Sequence, residues 1–399
     1  MTDITPAGFT PGRADATLAA GYGSASYGAG VYNLPIVNEQ NIVGASVWSL
    51  EIWGERLNAV CEPDEVIYEW TPGDPQAVPV ANAPTARAIL ATDQRILLAI
   101  GAGGDPRRVE WCDQEDNTNW TPSITNQAGG FNVATPNQLL TGVTVPGGGL
   151  LFTEGDCHAF RYLDADQVFG FSEVSSGAGA VSQNAVQEFD GDVLWMGPEG
   201  FWRYLGYVQP IACDVADRIY TDINRTQISK VWSFHNASFG EVWWFYPSSS
   251  SIECDRYAAY SYRERHWTTG ALSRLCGANR SPFSVPLMVA ADGQVYDHET
   301  GDNYDGARVF LKGGPVTLGS GIYDIQQMQP DERTLGDLQV FIDAQETVMG
   351  PVYSYGPFTP AEWTDLRVSG RLISVTFERV AGDFRLGAPL FDVAFGGER

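Results

Sequence analysis

Residues 228–270, ISKVWSFHNASFGEVWWFYPSSSSIECDRYAAYSYRERHWTTG, constrain the fold more than any other stretch. Val231 to His235 alternates bulky and small side chains, and Asn236-Ala237-Ser238-Phe239-Gly240 then turns. Glu241 to Tyr246 is aromatic and β-favouring, and Pro247 with four serines turns again. Asp255 to Tyr262 follows, and Arg263-Glu264-Arg265 leads into His266-Trp267-Thr268. Aromatic and β-branched runs bounded by Pro, Gly, Ser and Asn predict three consecutive antiparallel strands. About four such strands form one blade of a β-propeller.

A coarse period of roughly 40 residues begins at residue 46, the spacing of propeller blades. Apolar strands flank turns at Asp93-Gln94, Glu154-Gly155-Asp156 and Asp292-Gly293. Hairpin turns favour such Asp and Gly residues. Trp70-Thr71, Trp120-Thr121 and Trp267-Thr268 read as corresponding ends of three units. The expectation is five to seven blades over 46–305. After Gly301 the runs lengthen, for example Leu338–Asp343, Leu366–Phe377 and Leu390–Phe395. They predict a second, sandwich-like β domain over 306–399 with its own core. Residues 1–45 form a third region. Its Gly21–Tyr32 segment repeats a tyrosine every five residues among Gly, Ala and Ser, the pattern of an arm without a core that packs its tyrosines on a neighbour. The best helix candidate is 210–230. There Val215, Ile219 and Ile223 share a face and Asp214 is placed to cap the start.

The Val242-Trp243-Trp244-Phe245-Tyr246-Pro247-Ser248 run, with Asp255-Arg256-Tyr257 and Trp267-Thr268-Thr269-Gly270, resembles the tail hub, nozzle and DNA-stabilisation proteins of short-tailed bacteriophages and related prophages. The helical segment before that run, the glycine-aromatic arm and the C-terminal Gly382–Gly387 and Gly396–Arg399 extend the likeness over most of the chain. The resemblance implies a virion structural protein, not an enzyme. It implies a homohexameric ring below portal and adaptor proteins, assembled in the host bacterial cytoplasm. Such a ring supports tail fibres or spikes and passes genomic double-stranded DNA through its lumen without reading its sequence. No stable membrane insertion is implied.

The net charge of −25 argues against gripping nucleic acid by neutralising phosphates. An acidic lumen that keeps DNA mobile and a surface charge that maintains solubility are both consistent with it. The chain shows no GxSxG, HExxH or Walker A pattern, and Gly101-Ala102-Gly103-Gly104 reads as a turn. Catalytic, cofactor and metal residues are therefore expected to be none. His158, His235, His266 and His298 are dispersed. Cys61, Cys112, Cys157, Cys213, Cys254 and Cys276 are scattered, as buried apolar fillers in a reducing compartment would be. The alternative function is a propeller that binds or hydrolyses host-surface glycans. In that reading Glu110, Asp113, Glu115 and Asp116 flank Trp111 and Trp120 as sugar platforms.

Overall fold

The computed structural model describes residues 12–21, 36–61, 64–163, 167–279, 283–301, 307–317, 319 and 321–397. It divides into two compact units, Met1–His298 and Glu299–Arg399. Both are all-β, with one short α-helix among the described residues.

In the first unit six sheets follow one another along the chain, and in each the strands pair in sequence order. The first has strands Trp48–Trp53, Arg56–Cys61, Tyr68–Trp70 and Val78–Pro79. The second has Ala88–Ala91, Leu97–Ile100, Arg108–Trp111 and Gly129–Asn132. The third has Leu139–Val145, Gly148–Thr153, Asp156–Tyr162 and Phe169–Ser176. The fourth has Val186–Phe189, Asp192–Met196, Phe201–Tyr204 and Val208–Ile211. The fifth has Trp232–Asn236, Glu241–Tyr246, Arg256–Ser261 and His266–Ala271. The sixth has Cys276–Ala278, Leu287–Val289 and Val295–Asp297. All neighbours are antiparallel, so tight turns suffice to connect them.

The inner sheets are covered on both faces, which explains their nearly continuous apolar strands. Side chains alternate faces along a strand. In Glu241–Tyr246, Val242, Trp244 and Tyr246 join Leu194, Met196 and Phe201 of the fourth sheet in one core. Phe245 and partly buried Trp243 join Trp232 and Met288, the latter from the sixth sheet. The fourth sheet turns its other face, Val193 and Trp195, to Leu150 and Phe152 of the third. Leu151 of the third packs with Leu98, Ile100 and Trp111 of the second. Each sheet thus packs face-on against its neighbours.

Two sequence expectations change. The helix spans only Ala216–Asp222, and Val215, packed against the core, takes the N-cap position that Asp214 was expected to fill. Ile219 and Ile223 are buried, but the backbone becomes extended at Ile223. Asn224 then caps a 3-10 helix, Arg225–Lys230, by accepting from the Thr226 amide. The Trp-Thr pairs are not equivalent either. Trp70 ends a third strand, Trp120 lies between third and fourth strands, and Trp267 lies in a fourth strand. Likewise Asp93-Gln94 joins first and second strands, whereas Glu154-Gly155 and Asp292-Gly293 join second and third. Turn chemistry marks hairpins, and one meander contains several.

Before the first sheet, Thr17–Gly21 pairs with Ile36–Val43. The base of this ribbon is fastened to the 3-10 helix. The Ala16 amide donates to Gln227, the Ala45 amide to Ser229, and Lys230 Nζ reaches Asp15 and Glu253 at 2.7 Å each. Tyr22, Tyr27 and Tyr32 lie outside the described residues.

The second unit contains two antiparallel sheets. One orders Phe310–Lys312, Leu372–Arg385, Leu335–Gln345 and Tyr353–Phe358, with Val316–Thr317 also on the long strand. The other orders Thr364–Gly370, Ile322–Gln329 and Leu390–Gly397. Val340, Ile342 and Ala344 of the first meet Ile325, Leu366 and Val368 of the second in one core. The run read as continuous from Leu366 to Phe377 breaks at Arg371 and changes sheet. At that corner Gly370 approaches Ala344 and Ile373, and an added Cβ would lie 2.9–3.0 Å from them.

Candidate functional site

The first strands of the first five sheets lie side by side in order, and that of the sixth follows beside the fifth. All six contribute to one cavity of about 320 Å³. Ser49, Leu50 and Glu51 come from the first sheet, Ile89 from the second and Thr141–Val143 from the third. Val186 and Gln187, with Gln183 and Asn184 just before them, come from the fourth. Trp232–Ser233 and Leu275–Gly277 complete the wall. Gly142 permits a close approach here, because a Cβ would sit 3.0–3.2 Å from Leu151, Leu90 and Ile100.

Adjacent first strands are joined by side chains where ladder pairing ends. The Ile89 amide donates to Ser49 Oγ at 3.1 Å. Ser233 donates to the Asn184 carbonyl from both its amide, at 2.7 Å, and its hydroxyl, at 2.8 Å. The Glu51 carboxylate accepts from the Ala91 backbone. Burial nevertheless dominates and pushes its pKa up to about 7. Among the described residues of the wall Glu51 is the only charged one, and none is Arg, Lys or His. The Gln183 amide nitrogen is buried without an acceptor. Cys276 is exposed, whereas the other five thiols are buried or half-buried.

The strand Trp48–Trp53 has an inverted pattern. Its small and polar Ser49 and Glu51 face the second sheet, while Leu50 and Ile52 lie on the opposite face, 58% and 73% exposed. Across the ladder from Glu51 sits Asn58, fully buried, with neither amide atom partnered. These polar groups carry no signature in the sequence. The signal that marks them is an apolar strand whose polar residues occupy the inward parity.

A second polar cluster is internal to the third sheet. Asp156 accepts from Thr135 Oγ1 at 2.7 Å, Asn137 Nδ2 at 3.1 Å and Thr153 Oγ1 at 2.5 Å, and lies 3.0 Å from His158 Nε2. Burial alone would raise the carboxyl pKa, but the four hydrogen bonds outweigh it and hold the group below the usual range. Its bonds fasten the 133–138 connection to the 154–155 turn, a structural task.

The remaining sequence candidates do not converge. His235 stacks on Phe189 and meets the Tyr262 hydroxyl. His266 lies beside Glu264, and His298 accepts from Arg274. Trp111 and Trp120 are buried, their indoles donating to the carbonyls of Gln127 and Asn117, so neither offers a platform to a sugar. Glu110 pairs with Arg108, Glu115 with Arg95, and Asp113 and Asp116 bond backbone amides of their own loop. Gly101 and Gly103 take positive φ in a 3-10 turn at Ala102–Gly104. Among the described residues no group of three or more His, Cys, Asp or Glu is placed to hold a metal ion. No described helix is long and apolar enough to cross a membrane.

The second unit presents a different surface. Leu335, Val348, Met349, Trp363, Leu390 and Phe395 are each more than half exposed, Met349 at 96%. Leu390–Gly397 and Thr364–Gly370 are edge strands of its three-stranded sheet.

No protein-family model and no curated protein matches the sequence. Among solved structures the chain is distantly similar to a putative exported protein from Bacteroides fragilis (10% identity, 64% of this chain and 76% of that one, TM-score 0.35). It is similar at the same level to the AfRom2 CNH domain (12%, 82% and 93%, TM-score 0.37) and to Kluyveromyces lactis Hsv2 (8%, 65% and 80%, TM-score 0.37). Likenesses this remote carry no argument about function.

Proposed function

We propose that the protein is a virion structural subunit of a phage tail, a hub or nozzle ring below portal and adaptor, whose first unit is a six-bladed β-propeller. The propeller reading is supported by the six first strands around one cavity. It is also supported by the Ala45–Ser229 bond, which ties the lead-in of the first sheet to the lead-in of the fifth.

The observation that carries the assembly reading is the uncovered apolar surface of the second unit. A surface dense in large apolar side chains is the kind that a protein partner covers. In a homohexameric ring these residues would lie at subunit contacts or against the adaptor, and tail fibres or spikes would attach to the propeller side. The net charge of −25 suits a conduit, since an acidic lumen repels phosphate and leaves DNA free to slide. The subunit's work is then mechanical: it retains packaged DNA and opens for ejection.

Negative-stain imaging of the purified protein, alone and mixed with portal and adaptor, tests this. Six-fold rings with a hole wide enough for duplex DNA, ~20 Å from its groove and backbone dimensions, are expected. A strictly monomeric particle that never joins a portal would overturn the assembly reading.

A further inference from the structure

We propose that the first and sixth sheets border a lateral seam into the central cavity, and that a polar clasp at residues 227–230, not packing between the two sheets, sets how far the seam stands open. The proposal rests on the six first strands lining one cavity and not on the phage reading, so its failure leaves the imaging of rings unaffected.

Five junctions along the row of sheets are packed. First and second, second and third, third and fourth, fourth and fifth, and fifth and sixth sheets each share a buried core. Among the described residues no core joins the sixth sheet to the first. The faces that such a core would need are bare. Register places Leu50, Ala59 and Tyr68 in one row and Ile52, Leu57 and Trp70 in the next, all on the face turned away from Ser49 and the second sheet. Neither row holds a charge, yet Leu50 and Ile52 stand mostly in solvent. In the sixth sheet Gly277 and Met288 face Trp232 of the fifth. Cys276, Val289 and Val295 form one row on the other face, where Val295 is 61% exposed and Cys276 is exposed. Leu50 and Cys276 both line the cavity, so both bare faces reach it.

What joins the ends of the row is polar. Gln227 grips residue 16 in both directions. Its Oε1 accepts from the Ala16 amide at 2.9 Å, and its Nε2 donates to the Ala16 carbonyl at 3.0 Å. Lys230 bridges Asp15 and Glu253, and the Ala45 amide donates to Ser229 Oγ at 3.1 Å. Arg13 fastens this segment to the lead-in of the first sheet, its amide donating to Ser46 Oγ and its guanidinium to the Gly44 carbonyl. On the other side Ile228 and Val231 pack into the core shared by the fourth and fifth sheets. The first sheet is therefore held to the fifth through these bonds. Ion pairs as exposed as Asp15 and Glu253 fix geometry at little net energy. Releasing the clasp breaks no core between sheets, whereas parting any packed junction would. The cavity thus gains a side entrance that widens while every sheet stays intact.

The test measures the width of the seam in the intact chain. Leu50→Cys places a second thiol on the cavity wall with Cys276, and bismaleimides of graded span join the two, the linked peptides being identified by mass. In the clasped chain one span should dominate. Asp15→Asn removes the charge opposite Lys230 and should lower the yield at that span about twofold, in favour of longer reagents. Gln227→Leu removes both bonds to Ala16 and should lower it about tenfold. Should Gln227→Leu fail to fold, Asp15→Asn decides alone, since its side chain is 42% exposed. The proposal is overturned if the clasp variants give the same distribution of spans as the parent, or if no span links the two thiols within one chain. Links that form only between two copies overturn it as well, because the bare faces would then be a contact between chains.

Discussion

The two units cover their apolar surface to different degrees. In the first, the third, fourth and fifth sheets are packed on both faces, and Trp195, Trp244, Phe152 and Phe245 are fully buried. In the second, two sheets share one core and large apolar residues are exposed more densely, with Trp363 55% exposed, although the first unit also leaves Leu50, Ile52 and Ile124 in solvent. A row of sheets supplies its own cover from neighbour to neighbour. A pair of sheets covers only its inner faces and leaves residues of the same chemistry outside in solvent. Tryptophan differs accordingly: Trp195 and Trp244 fill the core of the first unit, whereas Trp363 of the second stands in solvent.

The largest test of this contrast is Trp244→Ala. The indole touches Phe201 and Trp267, and its N–H donates to the Ala185 carbonyl at 2.9 Å. The substitution should cost ~3–5 kcal/mol, read by urea unfolding. A loss near zero would mean that the fourth and fifth sheets are not packed as described.

Asp156→Ala comes next, at about 2–4 kcal/mol, since it orphans several buried donors. The pH dependence has a definite sign. The folded-state pKa lies below the ordinary 3.8, so the native state binds fewer protons. Its stabilisation is fully present above the ordinary carboxylate range and is lost as pH falls through the lower folded value. The wild-type stability curve should bend downward in that acid window, and Asp156→Asn should flatten the bend. An unchanged acid limb would show that the four hydrogen bonds to Asp156 do not hold its proton off.

Local pattern made much of this architecture legible. Three strands of the fifth sheet fall within a residue of their sequence positions, because each run is bounded by Pro, Gly or Ser clusters, whereas the fourth, His266–Ala271, was not read as a strand. The buried face of Ile219 and Ile223 was readable from their i, i+4 spacing. What could not be read was non-local. The equivalence of the Trp-Thr pairs failed because a strand's place in its sheet depends on pairing, not on its own residues. The cavity was invisible because Ser49, Glu51, Gln183 and Cys276 are unremarkable singly and far apart in the chain. Exposure of the second unit was hidden because alternation places a residue on a face without saying whether that face is covered.

Glu51→Gln sharpens the contrast from the opposite direction, because here a half-buried acid in the first unit is a liability. Burial raises its pKa from 4.5 to about 7, so the native state holds a proton that the unfolded chain releases. Relative stability is therefore greatest below pH 4.5 and is lost as pH rises through about 7. The glutamine variant should gain roughly 1–3 kcal/mol above pH 7, the gain shrinking to nothing in acid. Thermal unfolding across that range measures it. A gain that does not depend on pH would mean that the carboxyl group is solvated in the folded protein.

The smallest expected effect on stability belongs to Trp363→Ala. With the indole more than half in solvent, the isolated chain should change by no more than about 0.5 kcal/mol, the level of ordinary surface substitutions. Association should respond very differently. If Trp363 lies in a subunit contact, its loss should weaken ring formation by about 2 kcal/mol or more, as truncating an aromatic anchor does. The two readouts, unfolding and sedimentation of the assembled ring, must diverge for the contrast between the units to hold. A variant that unfolds more easily and assembles normally would place this tryptophan with those of the first unit, as core. A variant unchanged in both would mean that the surface around Trp363 lies outside the contact, leaving Met349, Leu390 and Phe395 to be tested for it.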